Sequence, residues 1–144
     1  MKTKTKLIVG TVTAAMLIAL AALAQSAGQY SVKNSRPAVI KTVPAAGATD
    51  VDPNLTEISV TFSKEMMDRN WSVCQTTPAE NFPEDPPNGA KMHYMGDKRT
   101  CVMPVKLQPG RTYVLWFNRG NYMGFKDTSG KSSWPYELVF ETKP

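Results

Sequence analysis

The sequence predicts an all-β fold: an antiparallel β-sandwich of about seven strands, preceded by an N-terminal signal peptide. Three observations carry this. Short runs of alternating apolar residues recur along the chain, each bounded by Pro, Gly, Asn or Asp, which is the pattern of strands and turns. Beyond the first thirty residues no stretch keeps a helical period. Residues 105–118 (VKLQPGRTYVLWFN) set a Pro-Gly turn between two alternating runs, with Tyr113 opening the second, as where one strand crosses the end of a sandwich into the next.

The chain opens with Lys2, Lys4 and Lys6, continues through an apolar run over residues 7–23, and reaches Ala22-Leu23-Ala24, small residues in the pattern a signal peptidase reads. Residues 1–24 therefore read as a secretory signal peptide, with Ala27 as a second cleavage position. The run is near the lower limit for spanning a bilayer and no basic stop-transfer cluster follows, so no membrane span is expected after cleavage. Without Lys2, Lys4 and Lys6, the 17 Lys and Arg fall to 14 against 12 acids. Net charge is then close to neutral and spread between apolar residues, which excludes the basic stripe of a nucleic-acid binder. Localisation is expected to be secreted or periplasmic.

Residues 25–37 (QSAGQYSVKNSRP) are polar and aperiodic and read as a flexible linker. The domain is expected over residues 38–144, enough chain to bury a core. A first strand in AVIKTVP stops at Pro44, and a loop rich in Gly47, Asp50, Asp52, Pro53 and Asn54 follows. Residues 55–63 (LTEISVTFS) alternate with Ile58, Val60 and Phe62 on one face. A short strand over 71–75 (WSVCQ) precedes a long excursion, residues 76–90, holding Pro78, Pro83, Pro86, Pro87 and Gly89. Strands follow over 91–95 (KMHYM) and 99–107 (RTCVMPVKL), where Pro104 suggests an edge strand or bulge. Residues 112–118 (TYVLWFN), apolar on both faces, read as a central strand. After a Gly- and Ser-rich loop, the last strand, 135–142 (PYELVFET), turns Tyr136, Leu138 and Phe140 inward.

Cys74 and Cys101 are the only cysteines, so one disulfide is available in an oxidising compartment. It would contribute about 3–4 kcal/mol on the chain-entropy account; the other reading is two small buried hydrophobes.

Several motifs in order resemble a known family: residues 43–51 (VPAAGATDV), 60–66 (VTFSKEM), 107–113 (LQPGRTY), Asp127 with Gly130, and the closing 138–142 (LVFET). The chain is similar here to the bacterial Ig-like domain of the SbsA type, named from an S-layer protein. A subgroup also matches Trp71-Ser72, residues 100–105 and Asn118. The resemblance implies an immunoglobulin-like, extracytoplasmic module without general catalytic residues. Its placement alone behind a signal peptide departs from the family habit.

The residues themselves offer little chemistry. One histidine, His93, with no Ser/His/Asp or Cys/His set gives no basis for nucleophilic catalysis, so no enzyme is expected. Met92, His93 and Met95 are thioether and imidazole ligands suited to copper(I), and Pro44-x-x-Gly47-Ala48 with Thr61-Phe62-Ser63 resembles the CopC family of periplasmic copper carriers. Against this, alternation sets Met92 opposite His93 and Met95, and the mature chain would begin at Gln25 rather than the His of those carriers. Asp50, Asp52, Asp97 and Asp127 could offer oxygens to calcium, or could simply bond their own turns. With no cofactor in the first reading, Trp116, Tyr122, Phe125 and Trp134 around the last long loop are the candidate binding residues, for an envelope or extracellular protein or a glycan. The same aromatics could instead close the end of the core.

Overall fold

Each alternating run has one apolar face to bury, and pairing those faces builds the fold. Seven strands form: β1 (Val39–Val43), β2 (Glu57–Phe62), β3 (Val73–Gln75), β4 (His93–Tyr94), β5 (Thr100–Pro104), β6 (Thr112–Phe117) and β7 (Tyr136–Glu141), in a computed structural model that describes residues 30–144. The expected signal peptide, residues 1–24, and linker residues 25–29 lie outside the described residues. Pairing within the strands is antiparallel throughout. One sheet runs β1-β2-β5-β4 and the other β3-β6-β7. First, second, fifth and fourth strands against third, sixth and seventh is the arrangement of the constant-type immunoglobulin sandwich.

The core is the inward face of both sheets. Ile58, Val60 and Phe62 of β2 and Cys101 and Met103 of β5 meet Tyr113, Leu115 and Phe117 of β6 and Leu138 and Phe140 of β7. Burying each large side chain contributes roughly 1.5–3 kcal/mol. Phe125, from the loop between β6 and β7, stacks within 5.2 Å of Phe62 and 5.8 Å of Phe117. The Tyr113 hydroxyl accepts the Gln108 N–H at 2.8 Å, tying the strand start to the turn five residues before it.

Pro104 does not mark an edge strand, because β5 lies between β2 and β4. Hydrogen bonds from Phe62 N–H to Arg99 O and from Val105 N–H to Thr56 O fix the ladder phase, so odd-numbered β5 residues bond β2 and even-numbered ones face β4. The missing Pro104 N–H therefore lies on the β4 side, where continued register would oppose it to Lys91. This accounts for β4 being only His93–Tyr94 instead of the five-residue strand expected over 91–95.

Residues 45–51 cover part of the outer edge of β7. Gly47, with φ +80°, donates to Val139 O at 2.7 Å, and Val51 N–H donates to Glu141 O at 3.1 Å. The Pro-rich excursion contains one 3₁₀ turn, Ala79–Asn81, and packs Phe82 against the core. Residues 30–35 belong to a separate unit, where Asn34 and Ser35 N–H groups both donate to Ser31 O. The sandwich unit starts at Arg36. Arg36 donates to the carbonyls of Ser132 and Ser133, and Pro37 O accepts the Trp134 N–H.

Candidate functional site

The last long loop is shaped by Asn118, fully buried at the end of β6 with φ +63°. Its Oδ1 accepts the Phe125 N–H at 2.9 Å, while Nδ2 donates to Phe125 O at 3.0 Å and to Ser133 Oγ at 3.0 Å. Between these anchors the chain reverses in a tight turn: Arg119 and Tyr122 exchange two backbone bonds of 2.9 Å, and Gly120 takes φ +55°, a conformation that favours glycine.

The turn leaves Tyr122 71 % exposed and carries the Arg119 guanidinium to 5.4 Å from the Trp116 ring centroid. Arg119 and Tyr122 line a hollow of about 320 Å³ together with Cys74, Gln75, Gly120 and Asn121. Burial pushes the Cys74 thiol up, and the neighbouring Arg119 charge opposes that shift.

The four aromatics named from the sequence do not form one surface. Phe125 is fully buried, because the Asn118 clasp draws it inward between Phe62 and Phe117; it is a core residue, not a binding residue. Trp134 is 58 % exposed and carries the Arg36 guanidinium 4.2 Å from its ring centroid. Trp116 carries the guanidinium of Arg119 near its ring and Tyr122 closes the same turn; Arg119 is a residue the sequence reading did not name. Its signal in the sequence was only an Arg three positions after a Trp and just ahead of a Gly.

Met92, His93 and Met95 are not brought together. His93 and Met95 line a hollow of about 370 Å³ with Met66, Asp68, Tyr94 and others. Met92 lines a separate one with Trp71, Val73 and Phe82. Among the described residues, no group of three or more His, Cys, Asp or Glu side chains is placed to hold a metal ion.

Asp52 and Asp97 serve their own turns: Asp52 accepts the Asn54 N–H and Asp97 accepts the N–H groups of Arg99 and Thr100. Asp127, 2 % exposed, bonds Ser129 and Lys131 and pairs with Lys64 at 2.9 Å. Cys74 and Cys101 are free thiols. They stand on β3 of one sheet and β5 of the other.

Comparison with known proteins places this geometry among others. A family profile described as Bacterial Ig-like domain matches residues 33–142. Among solved structures, CopC from Methylosinus trichosporium OB3b is similar at 13 % identity and TM-score 0.52, over 75 % of this chain and 94 % of that one. The S-layer protein SbsC, domains 1–6, is similar at 22 % identity and TM-score 0.46, over 76 % of this chain. This chain spans only 14 % of that SbsC structure. No curated protein matches.

Proposed function

We propose, from the premise that the chain belongs to the bacterial Ig-like domain family, that it is an exported, non-enzymatic interaction module of the cell envelope, acting in the periplasm or outside the cell. The observation that carries this reading is the Arg119–Tyr122 turn, which sets an exposed ring and a guanidinium 5.4 Å from the Trp116 ring centroid at one end of the three-stranded sheet. Exposed aromatics and arginines are the residues that most often anchor interfaces. The finer assignment to the SbsA type rests on the ordered motifs from residue 43 to residue 142.

A non-catalytic role is supported by the surroundings of the single histidine. His93 Nδ1 lies 3.2 Å from the Lys91 carbonyl, and no hydrogen bond joins it to a Ser, Thr or Cys among the described residues. Among the same residues, no helix is long and apolar enough to cross a membrane.

The reading is tested by immobilising the protein and passing envelope extract over it, with an Arg119→Gln/Tyr122→Ala double variant in parallel. A component retained by the wild type and released by the variant is the expected result. Retention of nothing above background overturns the module reading, and equal retention by both proteins moves the contact away from this turn.

A second reading, copper binding, is favoured by one observation: His93 and Met95 share a hollow with Met66 and Asp68. Imidazole and thioether donors suit copper(I). The ligand set would then exclude Met92. Titration with copper(I) against a competing chelator decides it: one tight equivalent lost in His93→Ala establishes a metal site, and binding unchanged by that substitution removes it.

A further inference from the structure

We infer that the hollow beside the Arg119–Tyr122 turn is a binding site for an acidic saccharide, with Arg119 taking the carboxylate and Tyr122, Gln75 and Asn121 the sugar ring and its hydroxyls. The inference deepens the interaction-module reading and rests on it. Arg119 is the only charged side chain lining the hollow, and it makes no ion pair among the described residues.

Its guanidinium lies near an aromatic face and its backbone is fixed. The Trp116 ring lies 5.4 Å away, and the Arg119 backbone is closed onto Tyr122 by two hydrogen bonds. A planar guanidinium fork matches a carboxylate bidentately. Holding it in place before the ligand arrives lowers the ordering cost of binding.

The remaining lining is uncharged and mostly apolar, with two carboxamides among its polar groups. The carboxamides of Gln75 and Asn121 each supply donors and an acceptor. The exposed Tyr122 ring presents an electron-rich face against which the C–H side of a sugar can pack. About 320 Å³ is at the small end of ligand sites, room for one sugar ring.

The test is heteronuclear NMR of the purified protein, following the Trp116 indole N–H and the amides of residues 119–122. The probes are methyl β-D-glucuronide, methyl β-D-glucoside, acetate and N-acetyl-L-glutamate. Methyl β-D-glucuronide should shift these signals saturably, with the glucoside and acetate at least tenfold weaker because each carries only part of the chemistry. Arg119→Gln should weaken the glucuronide at least tenfold and Tyr122→Ala several-fold, whereas Lys41→Ala on β1 should leave it unchanged. Acetate equal to the glucuronide, or N-acetyl-L-glutamate stronger than it, overturns the saccharide assignment. Silence from every probe removes the site itself, while the capture experiment above separately decides whether the chain is an interaction module.

Discussion

Asn118 holds Phe125 from both sides of its peptide group: its Oδ1 accepts the Phe125 N–H at 2.9 Å and its Nδ2 donates to the Phe125 carbonyl at 3.0 Å. The Phe125 carbonyl also accepts the Ser133 N–H on its other side, so the Asn118 side chain supplies the second flank and keeps the Phe125 ring in the core. Asn118→Ala would leave the buried Phe125 N–H without a partner, while the Phe125 carbonyl keeps the Ser133 N–H and the Ser133 carbonyl keeps Arg36, and would put an alanine at φ +63°. The expected cost is about 1–3 kcal/mol, read from the shift in denaturant midpoint. A loss below about 1 kcal/mol would mean that water replaces the clasp.

Asp127 makes stability depend on acid. Burial raises its pKa, but the Lys64 ammonium, the Ser129 hydroxyl and the amides of Lys131 and Ser129 outweigh burial and hold it at about 2. An unfolded chain titrates the same group near 4. The folded state therefore binds fewer protons between those values: the contribution is whole above about pH 5, falls as pH drops through 4, and is gone below about pH 2. The melting temperature of wild type should exceed that of Asp127→Asn at pH 7, with the gap closing by pH 2. A gap independent of pH would show that the carboxylate charge does not contribute.

Most of the fold was legible because an alternating run such as residues 55–63 can bury only one face, so Ile58, Val60 and Phe62 declared themselves. Pro104 misled because a missing N–H says that one side of a strand is unpaired, and not that the strand is outermost. The site was less legible for a related reason. Trp116, Tyr122, Phe125 and Trp134 are close in sequence, but the reversal at Gly120 and the clasp at Asn118 send them to different places, and both depend on backbone geometry that spacing does not encode. The same holds for Arg119, whose position over Trp116 exists only once the turn closes.

Gly124 offers a test of how closely the loop is packed against the chain entering β3. A Cβ there would sit 2.7 Å from the carbonyl carbon and oxygen of Trp71 and from Ser72 Oγ, which itself accepts the Gly124 N–H. Two of those three atoms are backbone, so they cannot swing aside. Gly124→Ala should destabilise by roughly 1–3 kcal/mol, the usual cost of overpacking, measured as a fall in melting temperature. Ser72→Ala in the same background should recover little of it, since the Trp71 peptide remains.

The two thiols should differ in reactivity in a way that also tests their pairing. Cys101 is 1 % exposed, and burial is the main cause that raises its pKa to about 12, so almost no thiolate is present at neutral pH. Cys74 is half-buried beside the Arg119 hollow, and burial raises its pKa as well. Iodoacetamide at pH 8 should label the native protein slowly at Cys74 and leave Cys101 intact, whereas in denaturant both should react. Peptide mass mapping reads the outcome. Two labels in the native protein would mean that the sheet carrying β5 opens on the labelling timescale, and no label in denaturant without reductant would mean that the thiols are paired.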